Sequence, residues 1–455
     1  MSVSDPLPPQ AAPQAVPPAP PRAAYPVDGL PAPVRRRLLE LAAAEEPVAA
    51  YVYDAEAAVA RARELRAVLP EWASVYYAVK ANGCPGVVEA LAPYVDGFEV
   101  ASVAELELAL YVGPCSGYPA SSPSQVVAAG PAKSVSVLTS LVRAGVEAIN
   151  AESVLELHRI SRIAVAEGVT ARVALRVNPA RTPLHPHLPD HPTAPSGRPS
   201  GLPSQFGIAE PDVPEVLRTA RALPGIDLVG FHVHTASGNL DAAAHAAYLR
   251  WCVEWSVATA QTSGIELRHV DIGGGIGVPS DGEPPFDVAR FGELIRDVEP
   301  PAGVKVILEP GRFLVAECGW YAAEVTDIKT SYGVTYAVLS GGIHHFQLPA
   351  APAAPTPPAA RNGRPDRPGR RAPGYDVAVL PVERWEEPCP RPVAENTRVT
   401  VVGELSTPGE TPARDVLMDR VRAGDLIVFP HAGSYGWEFA PQAFLGHPVA
   451  ERHLI

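Results

Sequence analysis

The sequence lacks the features that would place it outside the cell, across a membrane or on a polyanion. It has only five cysteines, Cys84, Cys115, Cys252, Cys318 and Cys389, with no CxxC pair and no zinc-type spacing. Neither a disulfide framework nor a metal cage is expected, and a reducing cytoplasm suits the chain. The first thirty-odd residues are rich in Pro and Ala and have no apolar segment behind basic residues, so they read as a disordered tail and not as a signal peptide or membrane span. Positive charge is in deficit: 37 Lys and Arg face 50 Asp and Glu, a formal net charge of -13. Nucleic acid and anionic membrane are therefore poor partners, and a small metabolite is the better expectation.

What is present is a chain of 455 residues, 47% hydrophobic and 19% charged. That is enough for one barrel of roughly 250 residues and a smaller domain. Eight strand-like runs alternate with helix-like ones: SVYYAVK, DGFEVAS, QVVAAG, VEAINAE, ARVALRVNP, LVGFHVH, RHVDIGGG and VKVILEPGR. Segments such as CPGVVEALAPY, VAELELALYV and SVLELHRISRIAVAEG carry apolar residues at three- and four-residue spacing. The pattern predicts an α/β fold, a TIM-type (β/α)8 barrel, followed by an all-β domain with period-two alternation. The expected boundaries are a tail at 1–33, a segment at 34–69 packing with the β-domain, the barrel at 70–325 and the β-domain at 326–455. A Pro-rich insertion at 349–374 and an interrupted stretch from Pro179 to Pro203 are expected to be loops.

Polar and glycine residues cluster after several strands, on what would be one rim of the barrel. Alternation in VYYAVKANG puts Tyr76, Ala78 and Lys80 on one strand face. Lys80 is either a lysine snorkelling from a strand end or an amine that forms a Schiff base. GFHVHTASGNL places His232 and His234 on one face, as a metal pair, as structural residues, or with one imidazole flat against a cofactor ring. DIGGGIG offers bare backbone N–H groups to a phosphate, or plain turns. LEPGR sets Glu309 and Arg312 around a tight turn, as a surface ion pair or as a carboxylate for a ring nitrogen and a guanidinium for an anion. HAGSYG offers Tyr435. Lysine, imidazole, glycines with Ser237 and Arg312, and Glu309 are together what pyridoxal 5'-phosphate requires, and they point to Lys80 as the residue that carries it.

With these motifs in order, together with GFEVASVAELELAL, AGPAKS, NAESVLEL, RVNP, SQFGI and EPGRFLVAECG, the sequence resembles fold-type III pyridoxal-phosphate enzymes, specifically the ornithine/diaminopimelate/arginine decarboxylase family, from Pro47 to Pro448. The resemblance implies an alanine-racemase-like barrel with a C-terminal β-domain, and a head-to-tail homodimer sharing its active sites. It implies Lys80 as the Schiff-base lysine, His234 as the ring-stacking residue, Glu309 as partner of the pyridine nitrogen and Arg176 near the ring. Ser237, Gly274, Gly275, Gly311, Arg312 and Tyr435 match phosphate- and substrate-contacting positions.

Two departures bear on the substrate. Where family decarboxylases carry a cysteine in a GPxC turn followed by an acid, GELSTPGE has Ser406, then Thr407, with the acid delayed to Glu410. A hydroxyl is a far poorer acid than a thiol of pKa about 8.5, so water, Tyr435 or His345 are alternatives to Ser406 as proton donor. The family glycine before the phosphate-binding serine is Ala236 here. GGIHHF and FLGHP resemble a secondary-metabolite branch, similar to siderophore-assembly and carrier-protein-linked amino acid decarboxylases. The segment that reads diaminopimelate in the common enzymes becomes FQLPAAPAAP. The expected reaction is α-decarboxylation of an amino acid or amino-acid conjugate, free or carrier-bound, with Arg312, His345, Thr407 and Glu410 facing substrate. Racemisation or epimerisation on the same fold is the alternative. A catalytically silent, partner-binding homologue is another, although Lys80, Glu309, Arg312 and Tyr435 argue against it.

Overall fold

The computed structural model describes residues 22–44, 46–115, 125–184, 203–235, 237–279, 283–347, 375–407 and 410–455. Residues 1–21 of the expected tail, most of the Pro179–Pro203 stretch, Ala236 and the 349–374 insertion lie outside them.

The chain enters through β1 (Arg22–Ala23), α1 (Ala32–Leu41) and β2 (Ala49–Tyr53). It then runs through α2 (Ala55–Val68), β3 (Ala73–Ala78), α3 (Pro85–Leu91), β4 (Gly97–Val100), α4 (Val103–Cys115), β5 (Val126–Ala128) and α5 (Val135–Ala144). Next come β6 (Ala148–Ala151), α6 (Val154–Glu167), β7 (Ala171–Asn178), the short β8 (Ile208–Ala209), α7 (Val213–Ala222), β9 (Ile226–Val233) and α8 (Ala242–Ser263). β10 (His269–Asp271), α9 (Val288–Ile295), β11 (Lys305–Leu308) and α10 (Arg312–Val315) complete the series. The parallel order β6-β5-β4-β3-β11-β10-β9-β7 closes on itself through β6 and β7. The expected eight-stranded barrel is therefore formed.

Local chemistry sets the helix ends. Asp54, Ser134, Ser153, Asp241 and Asp287 cap α2, α5, α6, α8 and α9 by accepting first-turn N–H bonds. Tyr76, Val127, Ala148, Ala174, Val229 and Ile307 form one buried cluster from strands around the barrel, which is thus a packed core and not a pore.

At the N-terminal mouth Glu147 receives the Tyr76 hydroxyl, Lys305 Nζ (2.5 Å) and His269 Nε2 (3.0 Å). Burial opposes the charge on Glu147, but hydrogen bonds from His269, Lys305 and Tyr76 bring its pKa down to about 2. The depressed value means that its stabilisation is present above pH 4.5 and fades as pH falls toward 2. Glu147→Ala leaves His269 and Lys305 facing each other, and is expected to destabilise by about 3 kcal/mol, the lower end for a broken buried pair because Lys305 is partly exposed. Denaturant midpoints at pH 7 check this; an unchanged midpoint would show the network to be idle.

β12 (Gly319–Ser331), β13 (Val334–Leu339), β14 (Ala378–Leu380), β15 (Val393–Val402), β16 (Ala413–Arg422), β17 (Leu426–Phe429) and β18 (Glu451–Leu454) build the second domain. Its order is β1-β16-β15-β13-β12-β17-β14, with β2 paired to β12 and β18. Three expected boundaries are corrected. Residues 22–33 are ordered: β1 pairs with Val416 and Leu417, Tyr25 N–H donates to Val377 O, and Leu30 is buried in an apolar cluster with Val34, Leu38 and Trp320. Within 34–69 only α1 and β2 join the β-domain. The capped α2 turns Ala58, Ala62 and Leu65 into the barrel core and packs on α3, α9 and α10. The barrel ends before β12, whose pairing starts at Gly319, not at 326.

Candidate active site

Strand β3 stops at Ala78, and Lys80 lies in the single turn of 3-10 helix that follows, Val79–Ala81. Two rivets hold this turn to the C-terminal domain: Tyr435 N–H donates to Ala81 O (2.7 Å) and Asn82 Nδ2 donates to Gly433 O (2.8 Å). They carry Tyr435, at φ +63, over to the barrel mouth. There its ring lies under the Arg312 guanidinium, 5.0 Å from the centroid. Gly311 sits against the same turn, where a Cβ would fall 2.9 Å from that of Ala81 and 3.5 Å from the Tyr435 hydroxyl.

β9, β10, β11 and β3 are adjacent in the barrel, so the loops leaving their C-terminal ends meet one another. Gly274 N–H donates to His234 Nδ1 (3.2 Å), and Glu309 N–H donates to Gly273 O (2.8 Å). Gly273, at φ +68, leaves no room for a side chain, since a Cβ would lie 2.3 Å from His234 Nδ1. The Ser237–Gly238 turn is laid against the glycine loop by Asn239 N–H to Gly275 O (2.8 Å) and Gly277 N–H to Asn239 O (2.9 Å). Ser237 is exposed at this junction.

The electrostatics sort the groups. Burial opposes the charge on Lys80, but Glu99, 2.5 Å away, with Glu309 and Tyr435 beyond it, holds its pKa above the ordinary value. Glu99 is fully buried, and desolvation lifts its carboxyl to about 7 despite Lys80. Burial also drives His234 down to about 3, helped by Lys80, so its ring is neutral at pH 7. Glu309 and Asp271 are two buried carboxyls that share a hydrogen bond. Burial and the neighbouring Glu309 push Asp271 well above the carboxylate range. Burial opposes the charge on Glu309 too, but His232, 3.6 Å away, with Lys80 and Asp271, holds it well below that range. Glu309 is thus the ionised member. Its buried Oε1 has no hydrogen-bond partner. Arg176 is buried, paired with Glu152 (3.1 Å) and stacked 4.7 Å from the Phe206 ring.

The structure therefore brings Lys80, His234, Ser237, Gly274, Gly275, Glu309, Gly311, Arg312 and Tyr435 to one rim, with Arg176 at the end of β7. The remaining four residues have other contacts. Glu410 accepts from Ile343 N–H (2.8 Å), pinning its own turn to the one after β13. His345 engages both ring nitrogens, with the Tyr321 hydroxyl (3.1 Å) and Pro448 O (2.7 Å). Ser406 is exposed and Thr407 half-buried on the β-domain turn after β15.

Glu99, Asp271 and Glu152 were not singled out from the sequence. Glu99 had a faint signal, as the one acid inside the apolar run GFEV. Its relation to Lys80 depends on β4 lying beside β3, which no single run reveals.

These residues fit pyridoxal phosphate: a buried carboxylate oxygen awaits a donor, a neutral imidazole offers a face, and glycine-lined backbone meets Ser237 and Arg312. The chain belongs to the pyridoxal-dependent decarboxylases: the family's pyridoxal binding domain matches residues 56–316. It is 34% identical to a 2-[(L-alanin-3-ylcarbamoyl)methyl]-2-hydroxybutanedioate decarboxylase of Staphylococcus aureus, over 90% of this chain and 95% of that one. It is 31% identical to an L-glutamyl-[BtrI acyl-carrier protein] decarboxylase of Niallia circulans, over 88% of this chain and 86% of the other. Its fold is that of diaminopimelate decarboxylase from Helicobacter pylori complexed with L-lysine, with TM-score 0.70, 22% identity, and 91% and 93% of the two chains covered. The chain is accordingly a pyridoxal-phosphate enzyme of the carboxy-lyase type, and nothing in these relatives favours the racemase alternative.

Proposed function

We propose that this enzyme removes the α-carboxylate of an amino acid whose side chain bears a carboxylated acyl group, acting as a cytoplasmic homodimer in secondary metabolism. The observation that carries the chemistry is the convergence of Lys80, Glu99, His234, ionised Glu309 and Tyr435 on one rim. Bound pyridoxal phosphate supplies the electron sink for the pair released as carbon dioxide departs.

The chain's own groups do the rest. Lys80 would hold the cofactor through its amine, once that amine has shed a proton. Glu99, with its carboxyl near 7 and 2.5 Å away, is the acceptor. Glu309 would offer its unpartnered oxygen to the pyridine nitrogen and favour its protonated form, while Asp271, itself protonated, keeps the negative charge on Glu309 alone. His234 would cover a ring face without adding a charge. Ser237, Gly274, Gly275, Gly311 and Arg312 would hold the phosphate, and Arg176, neutralised by Glu152, would lie near the ring. Burial raises the Tyr435 hydroxyl, which stays protonated as a donor to phosphate or substrate despite Lys80 and Arg312.

Ser406 is exposed on its turn, which supports its delivery, with the half-buried Thr407, to the rim of a second copy, where Ser406 would return a proton to Cα. Within one chain, Glu410 ties that turn to the one after β13, and His345 is held between the Tyr321 hydroxyl and the Pro448 carbonyl. The four free described cysteines, Cys84, Cys252, Cys318 and Cys389, suit a reducing compartment.

The conjugate reading rests on the two relatives at 34% and 31% identity, both named for conjugated amino acids. The expected result is a kcat/KM for an N-acylated diamino acid with a carboxylated acyl group about 100-fold or more above that for diaminopimelate. The reverse order would return the enzyme to the free diamino acids.

A further inference from the structure

Away from the barrel, three segments of the β-domain meet at a cluster that the reaction does not use. His344 follows β13, Glu404 follows β15, and His447 lies in the loop before β18. His344 Nε2 is 3.2 Å from Glu404 Oε1, and His447 Nδ1 is 3.5 Å from the same oxygen. One ligand atom from each of the three side chains lies within 4.8 Å of the other two.

His344 is the informative member. It is 0% exposed, yet neither of its ring nitrogens has a hydrogen-bond partner. The 3.2 Å approach to Glu404 is off the direction that a ring N–H needs, so it is a close contact and not a bond. A buried imidazole left unpaired at both nitrogens is costly and calls for a ligand. A neutral imidazole has a lone pair on one ring nitrogen, and beside His344 stand a carboxylate and two further imidazoles, His345 at 3.8 Å and His447 at 5.2 Å between ring centroids, a set of donors that suits a cation.

The distances choose the ligand. Four donors placed tetrahedrally around an ion with bonds of about 2.0–2.1 Å are about 3.3–3.4 Å apart. The separations of His344 Nε2 and His447 Nδ1 from Glu404 Oε1, 3.2 and 3.5 Å, straddle that value. Two histidines and one glutamate are also a usual zinc donor set. His447 and Glu404 each keep 30% of their side chains exposed, so the site has an entry path and an open side for a fourth ligand.

We propose that His344, Glu404 and His447 bind one divalent cation of the zinc class, with the fourth position open to water. Glu404 lies two residues before Ser406, and His447 lies beside Pro448, whose carbonyl His345 holds. The ion therefore clips the Ser406 turn to the turn after β13 and to the C-terminal loop. The three ligands are about 40 to 60 residues apart in the chain, outside any spacing that announces a zinc site in sequence.

The test is equilibrium dialysis of the untagged, cofactor-loaded enzyme against zinc chloride with metal analysis, and cobalt(II) titration read by the visible absorption of four-coordinate cobalt. One equivalent bound at micromolar metal, with four-coordinate cobalt bands, is expected. His447→Ala and Glu404→Gln, both on partly exposed side chains, are each expected to weaken binding by about 100-fold, at or beyond the effect of losing an outer-shell partner. Circular dichroism of each variant separates lost binding from lost folding. No stoichiometric binding by the wild type, or binding by either folded variant as tight as the wild type's, would overturn the proposal.

Discussion

Lys80→Ala is expected to lower decarboxylation by roughly 10⁴-fold or more, because it removes the amine that would hold the cofactor. The purified variant is expected to lack the visible absorbance of lysine-bound pyridoxal phosphate. The fold should survive. Lys80 keeps 41% of its side chain exposed, and Glu99, already lifted to about 7 by burial, can take a proton when its counterion is gone. Lys80→Arg sharpens the test, since it returns a cation to Glu99 but no usable amine. Equal inactivity in the two variants with near-native melting would assign the loss to chemistry. Substantial activity in Lys80→Arg would mean that the lysine serves Glu99 and not the cofactor.

Glu309→Gln ranks second. The carboxylate is buried, ionised and unpartnered at Oε1, so it provides a fixed negative charge where a protonated ring nitrogen would sit. Glutamine keeps the shape and removes the charge. A kcat fall of about 10²–10³-fold with a much smaller change in KM is expected, the size usual for losing one preorganised electrostatic group in a dry site. Glu309→Asp should fall between wild type and glutamine. A KM effect alone would reassign Glu309 to substrate binding. Loss of the folded state in Glu309→Gln alone would mark it as the structural partner of His232.

The barrel was legible because each strand is a short apolar run punctuated by glycine or a polar cluster; alternation in VYYAVK carried the strand on to Lys80, whereas it stops at Ala78 and Lys80 follows in the next turn. The glycine loops were legible for the same reason: DIGGGIG cannot continue a strand. Pairings between distant segments were not. Residues 22–33 are ordered by backbone bonds to β16 and by Leu30, neither of which leaves a period in a Pro-rich stretch. Glu410 and His345 read as free to meet substrate because their partners, the Ile343 N–H and the Pro448 carbonyl, are backbone groups that any residue supplies. Glu99 was hidden by its strand, whose composition is that of any buried strand with one acid.

The most direct measurement is carbon dioxide release from 1-¹³C-labelled amino acids, free and acyl-conjugated, by the pyridoxal-phosphate-loaded enzyme in deuterated water, with mass spectrometry of the product. Labelled carbon dioxide and a matching amine carrying one solvent deuterium are expected, from conjugates above all, and neither product from Lys80→Ala. Deuterium at Cα with the labelled carboxylate retained would contradict decarboxylation and make the enzyme a racemase.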